Sequence, residues 1–214
     1  MKIKQISGFP TNQYFKQEMP KKIIVLHHTV SGVGIEGDVN WWKQTPERVG
    51  TPFIISREGE INQLFDEKYW IHHLGIKQHI LNLFKSKVSN ARLNQLSIGI
   101  ELDSWGGLIK KNGKWFNYAG SEVKKENVQE YPNGYRGYFA FEKYTKAQID
   151  SLKDLLLNLA FKYNIPTGYN SNIFEFNGNA LKGTHGIWSH SSFRPDKSDC
   201  HPQPELINML KSLS

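Results

Sequence analysis

Three polar clusters in this 214-residue chain have the residue types to do chemistry: His27-His28, Glu101, and His190 with the loop that runs on to Asp199, Cys200 and His201. Two histidines far apart in sequence, with a carboxylate nine residues after the second, offer two imidazole nitrogens and an oxygen. Catalytic zinc takes three N/O/S protein ligands and keeps its fourth position for water. Glu101 stands in Ile98-Gly99-Ile100-Glu101-Leu102, a run otherwise apolar enough for the middle of a sheet. A carboxylate buried there is unfavourable unless it is paired or has its pKa raised, as a general base or acid beside an activated water would. Plainer readings stand beside these. Ser97, Gly99 and Glu101 alternate as a solvated strand face would, and a histidine ending an apolar strand can be a core residue satisfied by backbone groups.

The elements that must position these residues follow from hydrophobic spacing. Ile23-Ile24-Val25-Leu26 is a short β-branched run of the kind buried strands carry, and it ends on His27 and His28. Asp38 is placed to N-cap a short helix through Trp41 and Trp42. Phe53 to Ser56 and Ile61 to Phe65 predict two strands joined by a Glu58-Gly59 hairpin turn. A helical stretch is expected after Gly75, with Ile80, Leu81 and Phe84 on one face, and then a strand from Leu96 to Leu102. Thr145 and Gln148 have the spacing of a capping box, and Ile149, Leu152, Leu156, Leu159 and Tyr163 continue it as an amphipathic helix closed by Pro166. Gly186 to Ser189 predicts a last strand that ends at His190, and Pro204 begins a final helix. Strands separated by helices indicate a single α/β domain with a central mixed sheet flanked by helices.

Residues 1–20 read as an N-terminal arm and 21–214 as one domain, with 103–142 inserted in it. That insertion is rich in Gly, Lys, Tyr and Trp. Turn signals at Gly106-Gly107, Asn112-Gly113 and Pro132-Asn133-Gly134 make it a hairpin-bearing set of extended segments after the Glu101 strand.

Composition narrows the classes. One cysteine excludes an intramolecular disulfide and any CxxC site. No apolar run approaches the ~18 residues of a membrane span. A formal charge of +7 favours encounter with polyanions, including nucleic acid, anionic lipid and bacterial wall. Scattered lysines without zinc-finger or RNP1 patterns argue against nucleic acid.

Six segments, in order, resemble the type 2 N-acetylmuramoyl-L-alanine amidases, a superfamily that includes peptidoglycan recognition proteins and phage endolysins. They are Ile24 to Thr29, Phe53 to Ile61, Trp70 to Gly75, Leu96 to Leu102, Tyr144 to Gln148 and Ser189 to Asp199. The resemblance implies that fold, Zn²⁺ as cofactor, and peptidoglycan as substrate. The bond cut would be the amide between the lactyl group of N-acetylmuramic acid and L-alanine. By position it implies His27, His190 and Asp199 as zinc ligands, Glu101 as the catalytic carboxylate, and Lys197 facing the oxyanion. His73 would line the substrate groove, with His72 competing for that role, and Trp105, Trp115, Tyr118 and Tyr138 of the insertion could wall it or simply pack. Thr51-Pro52 occupies the place where some relatives carry a tyrosine, which leaves more of the proton transfer to Glu101. Cys200 stands where a proline is usual, so Cys200 and His201 are rival third ligands. A non-catalytic binding module of the same superfamily, or a zinc peptidase acting within the stem peptide, are the alternatives. The N-terminus lacks the roughly 7–15-residue apolar core of a secretory signal. The expectation is therefore a monomer without a membrane span, made in the cytoplasm and acting on the wall after release or non-standard export.

Overall fold

The β-branched runs of the sequence pair with one another at the centre of a six-stranded mixed sheet. In the computed structural model, which describes residues 2–213, the elements in chain order are β1 (Ile3–Gln5), β2 (Ile23–His28), α1 (Glu36–Gln44), β3 (Phe53–Ile55), β4 (Ile61–Gln63), α2 (Gln78–Leu83), α3 (Asn90–Leu96) and β5 (Ser97–Leu102). They continue with β6 (Ile109–Lys111), β7 (Lys114–Phe116), β8 (Glu122–Val123), β9 (Val128–Tyr135), β10 (Tyr138–Glu142), α4 (Lys146–Tyr163), α5 (Gly178–Leu181), β11 (Gly186–Ser189) and α6 (Pro204–Lys211). The sheet order is β1-β4-β3-β5-β2-β11, and only the β3–β4 hairpin is antiparallel. Every residue of β2 is buried, as expected of a parallel strand covered on both faces.

Strand alternation sorts the side chains into two layers. Ile24, Leu26, Ile98 and Ile100 pack beneath α4 and α6. On the other face Ile23 and Val25 meet α2, α3 and α5 through Leu81, Leu93 and Leu181, and Ile54 meets α1 through Val39 and Trp42. His27 shares the face of Ile23 and Val25, and the register sets His27 directly beside Glu101. Both therefore emerge at the carboxyl ends of two adjacent parallel strands, on the α1–α3 side, where ligand sites of open α/β sheets form.

Most of the expected elements are present, with four corrections. α1 begins at Glu36 with Ile35 at its N-cap, so Asp38 lies inside the first turn, and its carboxylate accepts a bond from Ser31 Oγ (2.7 Å). α3, capped by Ser89 Oγ on the Arg92 amide (3.1 Å), precedes β5 and takes Leu96 from it. Pro132-Asn133-Gly134 lies within β9, where the ladder to β10 is irregular; the hairpin turns instead at Arg136 and Gly137, both with positive φ (47° and 87°). Ile3–Gln5 of the arm adds an edge strand beside β4. Asn112-Gly113 does form the β6–β7 turn, with φ of 49° and 79°, a pair that suits a type I′ hairpin.

Residues 103–142 fold as a three-stranded sheet (β6–β8) and a β9–β10 hairpin. A single guanidinium fastens both ends of this segment. Arg57 pairs with Asp103 at its start and with Glu142 at its end (2.9 Å), and donates to Gly32 O in the loop after β2 (3.1 Å).

Thr145 caps α4 reciprocally with Gln148 (3.1 and 3.0 Å), and its hydroxyl lies 2.6 Å from Arg57 O. Loss of an N-cap hydroxyl typically costs ~0.5–2 kcal/mol. Thr145→Ala should thus lower unfolding free energy by about that amount in urea melts, while leaving the affinity for any metal unchanged.

Candidate metal centre

β2, β11 and the loop after β11 bring three donor atoms to one point. β11 runs parallel to β2 with Ser189 opposite Leu26, so His190, in the turn that follows, lands beside His27. The Ser191 amide then donates to Asp199 O (2.8 Å), which folds the 193–199 loop back onto the strand end. The result is a triangle: His27 Nδ1 to His190 Nδ1 is 3.1 Å, His27 Nδ1 to Asp199 Oδ2 is 3.2 Å, and His190 Nδ1 to Asp199 Oδ2 is 2.9 Å. All three residues are buried, and they form a potential metal-holding group among the described residues.

A zinc ion at ~2.0–2.1 Å from each of three tetrahedral ligands spaces them by about 3.3 Å, close to this triangle. His190 Nε2 donates to Leu74 O (2.9 Å), because a carbonyl only accepts, so in the neutral ring Nδ1 presents its lone pair to the other two donors. A bare nitrogen facing a carboxylate oxygen at 2.9 Å calls for a cation between them. The donor set, two imidazoles and a carboxylate, fits zinc.

Electrostatics agree with that chemistry. Burial, reinforced by His190, holds His27 down to about 4, so its ring is neutral at pH 7. Burial alone would push Asp199 up, but its imidazole neighbours, His190 before His27, hold it well below the usual carboxylate range. Glu101 behaves oppositely. Burial, then the Asp199 and Asp38 carboxylates, push it well above its ordinary value, with Lys197 opposing. Its Oε2 is shut off from water and has no hydrogen-bond partner, which leaves it an acceptor aimed at nothing the protein supplies.

These groups line one cavity of about 330 Å³, together with Glu101, Lys197, Asp38 and Trp41. A larger groove of about 710 Å³ lies between the start of α4 and α6, but it gathers no histidine or cysteine and sits away from these groups. Asp38 is also pushed up, to about 6, chiefly by burial. Trp41 is the residue that sequence reasoning missed. Trp42 is 5% exposed and Trp41 55%, because adjacent helical positions diverge by about 100° and cannot both face the core. That divergence was the available signal.

The remaining candidates separate cleanly. His28 points to the opposite face, as alternation requires, and its Nδ1 meets Tyr144 OH at 2.8 Å. Cys200 is fully buried in the core beneath the sheet, and His201 donates from Nε2 to Glu142 O (3.0 Å) and meets Tyr131 OH through Nδ1 (2.7 Å). Neither rival ligand contributes an atom to the triangle. His73 is beside the triangle, its Nδ1 3.0 Å from His27 Nε2, whereas His72 stacks edge-on against Trp70. Thr51 spends its hydroxyl on Phe53 O (2.8 Å) and offers the cavity no phenol-like group. Trp105 is not part of the cavity lining. Its ring lies over Gly32 and edge-on to Tyr118 (5.5 Å), on the loop that leads to the rim.

Comparison with known proteins gives the family and the fold. The profile of the family described as N-acetylmuramoyl-L-alanine amidase matches residues 17–204. Among solved structures the chain is similar to PlyL, with TM-score 0.56 and 16% identity over 100% of this chain and 99% of that one. It is likewise similar to the catalytic domain of XlyA, with TM-score 0.55 and 15% identity over 100% and 99%. A mutant endolysin from Bacillus subtilis matches with TM-score 0.54 and 16% identity over 99% and 97%. At such identities these likenesses show the fold. No curated protein sequence matches the chain.

If the triangle is the metal centre, Asp199→Ala should remove stoichiometric zinc while Cys200→Ser keeps it, measured by metal content after dialysis. Equal retention in both would take the carboxylate out of the ligand set.

Proposed function

Because the chain belongs to the N-acetylmuramoyl-L-alanine amidase family, we propose that it is a zinc-dependent peptidoglycan hydrolase, with His27, His190 and Asp199 as ligands. The bond cut is the amide between the lactyl group of N-acetylmuramic acid and the L-alanine of the stem peptide. The observation that carries this reading is the juxtaposition of a proton-poor ligand triangle with an unpartnered, buried Glu101 oxygen on the same cavity. Zinc in the triangle would supply Lewis acidity, making a water nucleophilic near neutral pH.

The chain's own groups then divide the work. Glu101 accepts the proton of the attacking water and passes it to the departing L-alanine nitrogen, a role worth ~10²–10⁴ in rate. Lys197, half-buried on the cavity wall, faces the negative charge that develops on the carbonyl oxygen; comparable donors contribute ~2.7–4 kcal/mol. Trp105 and Tyr118, on the surface above the β2–α1 loop, offer aromatic faces to substrate outside the reacting centre. The chain acts on the bacterial wall as a monomer. No described helix is long and apolar enough to cross a membrane.

The test is digestion of purified peptidoglycan with and without a chelator, read by mass spectrometry. Bare glycan strands with intact stem peptides, abolished by the chelator, are expected. Cuts inside the stem peptide would instead mark a peptidase, and binding without release a recognition module. Glu101→Gln should keep zinc and lose ~10²–10⁴ in turnover; full activity would remove Glu101 from the mechanism. A second outcome concerns protons. Burial favours the protonated form of Glu101 in the metal-free chain and a divalent cation beside it favours the ionised form, so zinc affinity should rise with pH. Calorimetry in buffers of different ionisation enthalpy should show fewer protons released on zinc binding by Glu101→Gln than by the unaltered chain.

A further inference from the structure

The hydrogen bonds behind the triangle determine which nitrogen of each imidazole is bare. Ser97 Oγ lies 2.7 Å from Leu93 O, a group that only accepts, so the single hydroxyl proton is committed there. The same oxygen lies 2.7 Å from His73 Nε2 and can only accept, so His73 carries its proton on Nε2 and presents a lone pair at Nδ1. His73 Nδ1 is 3.0 Å from His27 Nε2, which must therefore be the donor, and His27 Nδ1 is left bare toward the triangle. For His190 the equivalent partner is Leu74 O, the next residue's carbonyl (2.9 Å). Two consecutive residues thus orient both imidazoles.

Their own placement is fixed from α3 and β5. Asn94 Oδ1 accepts from the His73 and Leu74 amides (2.8 and 3.1 Å), and Asn94 Nδ2 donates to Asn90 O (2.8 Å). Gly99 leaves the slot in which the His73 ring lies. A Cβ there would come within 3.2 Å of His73 Nδ1 and 2.6 Å of Thr51 Cγ2. Ser97, Gly99 and Glu101 alternate on one strand face for three separate reasons: an acceptor for His73, room for its ring, and the carboxylate beyond it.

We propose that His73-Leu74 is a two-point clip that holds His27 and His190 in the tautomer presenting Nδ1 to the metal, with His73 a positioning residue for His27. This assignment rests on the zinc reading above and changes the part that resemblance gives His73. With both ring nitrogens engaged, His73 has none to offer substrate. Partners behind metal-ligating histidines typically carry 10–100-fold in affinity.

The experiment compares His73→Ala, His73→Asn and Ser97→Ala with the unaltered full chain. It reads zinc affinity by chelator competition, melting temperature of the metal-free protein, and imidazole tautomers by nitrogen-15 NMR of the metal-free protein. His73→Ala should weaken zinc ~10–100-fold with His27 no longer held as the Nε2–H form. His73→Asn, whose amide oxygen can accept near the place of Nδ1, should recover most of that loss. Ser97→Ala should fall between them. Unchanged zinc affinity in His73→Ala overturns the clip, as does a His27 proton on Nδ1 in the unaltered metal-free chain. So does an affinity loss that merely parallels a fall in metal-free melting temperature and is not rescued by asparagine. An unaltered chain that takes up no zinc overturns the metal reading and the clip together, whereas uptake by that chain with no effect of His73→Ala overturns the clip alone.

Discussion

Two imidazole nitrogens and a carboxylate oxygen lie within 3.2 Å of one another in the protein interior, with too few protons to bond them together. Left to themselves such groups would separate or take up protons, since buried lone pairs without donors are unfavourable by ~1–3 kcal/mol each. They stay together because every element carrying them is held independently. β2 is hydrogen-bonded on both sides, the His190 turn is closed by the Ser191 amide on Asp199 O, and Asn94 clamps the segment behind both rings. A divalent cation is the species that satisfies the arrangement without moving it. Rigid scaffolding around an electrostatically frustrated centre is what preorganisation of a metal site means in physical terms.

The parallel register is the long-range device. β2 is the central strand of three parallel neighbours, so a single hydrogen-bonding pattern aligns His27 with Glu101 on one side and with the end of β11 on the other. A slip of one residue would send His27 to the α4 face and bring His28 up in its place. That slip is opposed by the side chains themselves. Ile24 and Leu26 fill the layer beneath α4, and His28 finds Tyr144 OH there. Cys200 follows the same rule at the other end of the site. Adjacent to Asp199 in sequence, it turns into the core while the carboxylate turns to the histidines.

How much of this could be read from the chain depends on the range of the forces involved. The β2 and β5 strands, the β3–β4 hairpin, the Thr145 capping box and the Pro204 helix start are local patterns, and the structure contains them. Asp38 failed as a cap because Ser31, seven residues upstream, takes its carboxylate, and Pro132 to Gly134 failed as a turn because Arg136-Gly137 supplies two positive-φ positions further on. α3 has few apolar residues and is held by the Ser89 cap and Asn94, features that hydrophobic periodicity does not register. The three ligand candidates were legible as residue types at strand ends. Asp199 was preferred to Cys200 and His201 only by the spacing that the family resemblance supplies, and the link from Ser97 through His73 to His27 was not legible, because it is decided by side-chain direction after the sheet has closed.

The proposed chemistry by itself does not choose its amide, since a metal-activated water would attack any carbonyl held at the right distance. Selectivity must come from the rest of the cavity wall, and that wall is built from different elements than the centre. The ligands and Glu101 sit at or beside strand ends in the middle of the sheet, whereas Trp41 and Asp38 are on α1 and Val30 is in the loop before it. Val30 holds a left-handed backbone (φ 53°), unfavourable for a β-branched residue by ~1–2 kcal/mol, within a loop that Arg57 ties at Gly32 to both ends of the 103–142 segment. The segment is thereby coupled mechanically to the cavity rim without entering the cavity. Substitutions in α1 or in 103–142 can then reshape the cavity rim while leaving the ligand triangle intact.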